Sequence, residues 1–226
     1  MSPETLQALL RYDSCTLSNA VETFDIRPRS SGYTDHTIRS LFPDLGRVVG
    51  YAVTCTVRSR EEGSGIDQDA VWRHVLSQPE PRILVAQDID EGLPGGAMLG
   101  EVMGTTFKRL GCAALVTDGT VRDLPEVRAM GLQVFAPGTN PSHAYVRIES
   151  VGDEVTVGGL AVRPGDLLYG DLHGVLSIPA EVVDRLATAA DAIIEREQKL
   201  IGWIRSDDFT VERLEEMRRV RHLASC

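Results

Sequence analysis

Residues Gly95 to Asp123 read GGAMLGEVMGTTFKRLGCAALVTDGTVRD. The stretch has the form of a glycine-rich turn, an amphipathic helix, a buried strand, and a second turn that ends in a charged Arg-Asp pair. Glycines at 95, 96 and 100 let backbone approach closely and open a helix. The first turn of such a helix offers unpaired N–H groups and a positive dipole end to an anion. Phe107 and Leu110 give the helix an apolar side, and Cys112-Ala113-Ala114-Leu115-Val116 supplies a strand that is apolar on both faces, as a parallel βαβ core requires. Thr117 to Asp123 follow at the strand's C-terminal end. Open α/β sheets bind ligands at such ends, so both turns are expected to open onto one crevice.

The glycine turn by itself is weak evidence. It is neither the G-x-G-x-x-G dinucleotide fingerprint nor a P-loop, which needs a Gly-Lys-Ser/Thr. The second turn adds weight, because Asp118, Arg122 and Asp123 place three charges beside a buried strand. A structural ion pair explains two of them; three point to a site.

Working outward, RVVGYAVTCTVRS (residues 47–59) alternates Val49, Tyr51, Val53, Cys55 and Val57 with smaller or polar residues, the period of a strand. Residues 81–86 form another buried strand, leading through Asp88-Ile89-Asp90-Glu91 to the glycine turn; a solvated loop is the expected use of those acids. Helices are expected over 5–11, over 16–24 with Ser14, Thr16 or Ser18 as cap, over 67–77 with His74 on its face, and over 126–130 before a strand at 132–135. Beyond Tyr145 the texture changes to strands and turns. A late β-rich part after βαβ units predicts a mixed layered α/β sandwich instead of a pure doubly wound sheet. We therefore expect one domain over 1–226, with N-terminal helices in 1–45, an α/β core in 46–179 and C-terminal helices in 180–226.

In the C-terminal helix, Leu186, Ala190, Ile193, Leu200 and Ile204 fall on one stripe at 100° per residue; Glu197 falls within it and Glu195 opposite. A carboxylate in an apolar stripe needs a partner, unless the helix runs past the core and leaves Glu197 in water.

The formal charge of −10 argues against nucleic acid as a partner, so an anionic substrate must be drawn in by local charge. No apolar run approaches bilayer length and the N-terminus lacks a signal-peptide pattern, so no membrane partner and a cytoplasmic location are expected. Cysteines 15, 55, 112 and 226 lack C-x-x-C spacing; no disulfide or zinc site is expected, and Cys55 and Cys112 should pack as small hydrophobes.

Gly100-Glu101-Val102-Met103 followed, after twenty residues from Glu101, by Arg122-Asp123 within Asp118-Gly119-x-x-Arg122-Asp123 resembles the RraA-like family, which includes the 4-hydroxy-4-methyl-2-oxoglutarate / 4-carboxy-4-hydroxy-2-oxoadipate aldolases. The resemblance runs from Thr16-Leu17-Ser18-Asn19-Ala20 through Gly50-Tyr51-Ala52-Val53-Thr54 and Val162-Arg163-Pro164-Gly165-Asp166 to Gly174-Val175-Leu176-Ser177-Ile178-Pro179. It implies a layered ββα-type, swivelling-domain-like sandwich with peripheral terminal helices, assembled as a homotrimer or a homohexamer of two trimers. It further implies a class II aldolase using Mg²⁺ or Mn²⁺ to release pyruvate from a small anionic 4-hydroxy-2-oxo acid, with oxaloacetate decarboxylation as a side activity. On that resemblance Asp123 is the direct metal ligand and Arg122 holds substrate oxygens. Backbone N–H groups of Gly100, Glu101, Val102 and Met103 receive the substrate carboxylate. Glu197, with Glu195 as fallback, reaches a neighbouring subunit's site, and Glu101 or Glu197 steers a water as base. Family members often carry Asp where this chain has Glu101, which leaves the base open. His173 is expected to be structural. The same family includes a regulator that binds ribonuclease E by protein–protein contact, an alternative needing no metal chemistry. Some relatives are labelled demethylmenaquinone methyltransferases; no methyl-donor site is evident here.

Overall fold

The alternating stretch around Val53 becomes the longest strand of the chain. In the computed structural model, which describes residues 1–224, the first elements are α1 (Pro3–Leu9), α2 (Ser14–Glu22), β1 (Arg39–Ser40), β2 (Val48–Arg58), α3 (Gln68–Ser77) and β3 (Arg82–Asp88). The central stretch forms β4 (Ala97–Leu99), α4 (Glu101–Arg109), β5 (Cys112–Thr117), β6 (Thr120–Val121), α5 (Leu124–Ala129), β7 (Gln133–Ala136) and β8 (Gly138–Thr139). Then come β9 (Arg147–Val151), β10 (Val155–Val157), β11 (Leu160–Val162), β12 (Leu167–Asp171), β13 (Gly174–Ile178), α6 (Val183–Ile204) and α7 (Val211–Ala224).

The main sheet runs β1-β7-β5-β3-β2-β12-β13. Its middle, β2-β3-β5-β7, is parallel. The long β2 pairs along its length with β3, while its other edge is shared by antiparallel β12 over the first half and β9 over the second. Both faces are apolar, for a reason visible residue by residue. Val53, Cys55, Leu84, Ala86, Leu115, Val134 and Ala136 point into one core with Val71, Val75, Phe107 and Val127 of the helices. Their neighbours Ala52, Ile83, Val85, Ala114, Val116 and Phe135 point the other way, onto the β10–β11 hairpin residues Val155, Val157, Leu160 and Val162. Period-two side chains on a strand buried on both sides produce this division. On the helix side, α1, α2 and α6 continue the layer over the antiparallel end, where Leu9, Leu17, Leu186 and Ile193 meet Val49, Tyr169 and Ile178. The order is helices, sheet, hairpin: the layered α/β sandwich expected.

Local details depart from expectation. Asp13 caps α2 by accepting the Thr16 N–H at 2.7 Å, in place of Ser14, Thr16 or Ser18. Ser14 is committed elsewhere, its N–H and Oγ donating to the buried Asp171 at 2.7 and 2.8 Å. Residues 97–99 are a buried strand and not the start of the helix, because Ala97 and Leu99 pair in parallel with Thr120 and Val121; with β8 they make a three-stranded sheet. The N-terminal part also contributes β1, antiparallel to β7 at the sheet edge. Cys55 and Cys112 are buried, and burial pushes both thiols up to about 12, so they behave as hydrophobes. Cys226 lies outside the described residues. No described helix is long and apolar enough to cross a membrane.

Candidate functional site

The small parallel sheet brings the two turns together. After β4, extended Gly100 opens α4; after β6, Arg122 donates its N–H to the Leu99 carbonyl at 2.9 Å. That bond sets the Arg122-Asp123 turn against the start of α4. Asp123 sits in the left-handed region, φ 54°, at the head of α5. A non-glycine residue there is uncommon, Asp and Asn being among the best tolerated. Its side chain does not cap α5. It reaches across to α4, where Oδ2 accepts the Glu101 N–H at 2.9 Å, so the helix start whose own cap residue has no side chain is capped from another segment. The Arg122 Nε lies 3.7 Å from the same Oδ2.

Gly100 is required for this contact. A Cβ at that position would fall 2.5 Å from Asp123 Oδ2 and 2.9 Å from Arg122 Nε, although the backbone angles themselves, φ −136° and ψ −164°, suit any residue.

These residues open onto a cleft of about 360 Å³ whose wall includes Gly100, Glu101, Val102, Met103, Arg122 and Asp123, together with Met98, His143 and Val146. The site residues expected from 100–103 and 122–123 therefore converge. The N–H of Glu101 is already taken by Asp123, which leaves Val102 and Met103 as first-turn groups with no acceptor within the helix, the first intrahelical bond being Gly104 N–H to Gly100 O at 2.8 Å. The Glu101 side chain is exposed at the rim.

Two expectations need correction, and the α6 stripe takes the second of its two alternatives within this chain. Gly95 and Gly96 do not open the helix, which begins only after Gly100: both N–H groups donate to Ser59 Oγ at 3.0 Å. Gly96 is needed for close approach, since a Cβ there would lie 2.5 Å from the His143 backbone. Asp118 does not join Arg122 and Asp123. It accepts the Asp88 N–H at 2.7 Å, linking the C-terminal ends of neighbouring strands β5 and β3, and burial raises its carboxyl to about 6. Asp88 is also raised, first by burial. Finally, the apolar stripe of α6 is buried through Leu186, Ala190 and Ile193, but Ile204 is 42% exposed, and Glu197 is exposed. Glu197 is not among the residues of the cleft in this chain. Glu195 is bound to Lys199 at 2.6 Å. His173 lies beside Asp171, which accepts its backbone N–H at 2.9 Å, a turn contact in keeping with a structural role.

The sequence reading missed Met98, His143 and Val146. No spacing links 143–146 to 100–123; the link is the Ala97 N–H to Ser142 O bond of 2.8 Å, which seats that loop on β4. The His143 Nδ1 lies 2.7 Å from the Ala144 carbonyl, which can only accept, so Nδ1 is the donor in this contact.

Among the described residues no three His, Cys, Asp or Glu side chains are grouped to hold a metal ion. A protein cage is thus absent there. The donor set at Asp123 fits a hard divalent cation that keeps most of its waters: one carboxylate, steadied at Oδ2 by the Glu101 N–H, with Oδ1 having no hydrogen-bond partner among the described residues.

The chain is similar to known proteins. A 164-residue region is 27% identical to an uncharacterized protein of Methanocaldococcus jannaschii, covering 72% of this chain and 76% of that one. A 148-residue region is 38% identical to a protein of Albidiferax ferrireducens named "Putative 4-hydroxy-4-methyl-2-oxoglutarate aldolase", covering 63% and 84%. The crystal structure of Streptomyces coelicolor RraAS2, described as an unusual member of the RNase ES inhibitor RraA protein family, superposes with a TM-score of 0.70 at 26% identity over 91% of this chain and 98% of that one. With the Aldolase/RraA family model matching residues 14–177, β4, α4, β6 and the Arg122-Asp123 turn included, the chain belongs to the RraA-like family.

Proposed function

We propose that this protein is a divalent-metal-dependent aldolase that cleaves a 4-hydroxy-2-oxo acid to pyruvate and a second oxo compound, and that it also decarboxylates oxaloacetate. The observation that carries the reading is the meeting of Asp123, Arg122 and the open first turn of α4 around one cleft. Retro-aldol cleavage and β-decarboxylation both leave an electron pair on a pyruvate enolate, so one set of groups that stabilises the enolate oxygen serves both reactions.

Asp123 holds the Mg²⁺ or Mn²⁺, which when bound supplies Lewis-acid polarisation of the 2-oxo group. Arg122, a third exposed and paired only loosely with Asp123 at 3.7 Å, retains guanidinium N–H groups to donate to the substrate's carboxylate or developing enolate oxygen. The Val102 and Met103 N–H groups face an anion at the positive end of α4. Gly100 lets the substrate and the Asp123 side chain approach the backbone. Glu101, at the rim, or Glu197 from a second subunit steers the water that takes the 4-hydroxyl proton. In support of a second subunit, Val102 and Tyr145, on the cleft wall and in the 143–146 loop, are 79% and 51% exposed, an apolar rim suited to being covered. A trimer, alone or paired as a hexamer, would supply that cover.

The test is pyruvate release from oxaloacetate and from 4-hydroxy-2-oxo acids. Activity restored by Mg²⁺ or Mn²⁺ and abolished by chelator is expected; activity undiminished in chelator, or trapped by borohydride as a lysine adduct, would overturn the assignment.

Binding and inhibition of a ribonuclease, prompted by the likeness to a member of the RNase ES inhibitor RraA protein family, is the second reading. Retention of Asp123 in a left-handed conformation, bonded to α4, favours the enzyme, since a docking surface has no need of that arrangement.

A further inference from the structure

Beside the cleft lies a second cavity of about 230 Å³, and Met98, Met103 and Val146 line both. Its other walls include Ile66, Val71, Trp72 and Ile148. The Trp72 ring packs edge-on against Phe107, with centroids 5.7 Å apart. Gln68, exposed at the first position of α3, stands among the lining residues. Arg147 is the cation in the wall, and its charge is already met: Nε donates to Glu149 Oε1 at 2.6 Å and Nη1 to the Glu61 carbonyl. A substrate carboxylate entering here would lose water and meet no free cation, whereas an apolar group would lose water at no electrostatic cost. The volume suffices, since an apolar cavity of roughly 150 Å³ takes up benzene.

We propose that this cavity receives the substituent on the far side of the scissile bond, and that the protein's substrates are 4-hydroxy-2-oxo acids bearing an aryl or branched alkyl group there in place of a second carboxylate. The proposal rests on the 2-oxo acid seat assigned above. Its geometry is direct. The Met98, Met103 and Val146 wall is continuous with Gly100, Arg122 and Asp123, so a 2-oxo acid head at α4 places its tail along Met103 and into the cavity. The proposal also gives the cleft's apolar half a use, because neither the metal ligand nor the anion seat accounts for Ile66, Trp72 and Ile148.

The test uses uncleavable 2-oxo acids, so that it does not depend on turnover. Titration calorimetry of the full chain in Mg²⁺ compares pyruvate, 2-oxo-4-phenylbutanoate and 2-oxoglutarate. The aryl acid should bind about 10-fold or more tighter than 2-oxoglutarate, since even one methylene in a fitted apolar pocket discriminates by ~10-fold. Gln68→Trp, which plugs the cavity from an exposed position, should remove the advantage and leave pyruvate affinity unchanged. Gln68→Arg should shift preference toward 2-oxoglutarate. Equal or tighter binding of 2-oxoglutarate by the parent chain, or an aryl advantage that survives Gln68→Trp, would overturn the cavity's role while the catalytic reading stands. Failure of pyruvate and both longer acids to bind would remove the 2-oxo acid seat and the cavity's role with it.

Discussion

The Asp123 Oδ2 accepts the backbone N–H of Glu101 at 2.9 Å, so the residue proposed to hold the metal also caps the helix proposed to hold the substrate. Positions twenty-two residues apart are thereby one unit. A displacement of either moves the other, and catalytic geometry is sensitive at the level of an ångström.

Gly100→Ala tests that coupling. The new Cβ would lie 2.5 Å from Asp123 Oδ2, and since the backbone is extended, the damage should be confined to the contact. We expect kcat/KM for pyruvate release to fall by about 100-fold, with a circular dichroism spectrum unchanged. A variant with near-parental activity would show that Asp123 and Glu101 need not touch.

At Asp123 itself, charge and conformation can be separated. Asn tolerates the left-handed backbone and can still accept the Glu101 N–H, so Asp123→Asn should unfold in urea within about 0.5 kcal/mol of the parent and yet lose ~100-fold or more of its metal-dependent turnover. Loss of stability equal to that of Asp123→Ala would assign the carboxylate a structural role instead.

Arg122→Lys keeps the charge and removes the planar fork. With a charge-assisted hydrogen bond at stake, worth about 1.5–3 kcal/mol, turnover should drop roughly 10- to 100-fold. Full activity would confine Arg122 to long-range attraction of the anion.

Asp118 makes stability depend on pH. Its folded value of about 6 stands above the ordinary 3.8, so the fold favours the protonated form. That contribution is fully present below the unfolded value and is lost as pH rises through about 6. Asp118→Asn retains an acceptor for the Asp88 N–H and removes the titration. After allowance for its partial exposure, the variant should exceed the parent by about 1–2 kcal/mol near neutral pH, with the difference vanishing near pH 4. Urea midpoints across this range check it; a parent curve parallel to that of the variant would refute the assignment.

Glu197 is exposed on α6 and outside the cleft of its own chain. If it completes a neighbour's site, mixing inactive Asp123→Ala and Glu197→Ala proteins under subunit exchange should restore part of the activity. No recovery, with exchange demonstrated, would place Glu197 outside catalysis.

The sequence by itself determined most of the pattern of strands and helices and nominated the two segments that meet at the candidate site. Val49 to Val57 is legible as a strand because apolar residues alternate with small or polar ones, and Ile83 to Ala86 and Cys112 to Val116 because apolar residues occupy both period-two faces. Gly100-Glu101 and Arg122-Asp123 stood out through the order in which they resemble the RraA-like family, a glycine turn or an ion pair alone having ordinary structural uses. Tertiary structure alone decided which charges meet. Asp118 stands in the same turn as Arg122 and Asp123 in sequence, yet β5 carries it to Asp88, while the short β6 pairing with β4 carries Arg122 and Asp123 to Gly100. Residues 97–99 carry no periodicity long enough to mark a strand, and only pairing with Thr120 and Val121 makes them one. His143, Val146 and the cavity behind Met103 were invisible for the same reason. They reach the cleft through the Ala97–Ser142 backbone bond, and backbone hydrogen bonds between distant segments leave no signature in side-chain order.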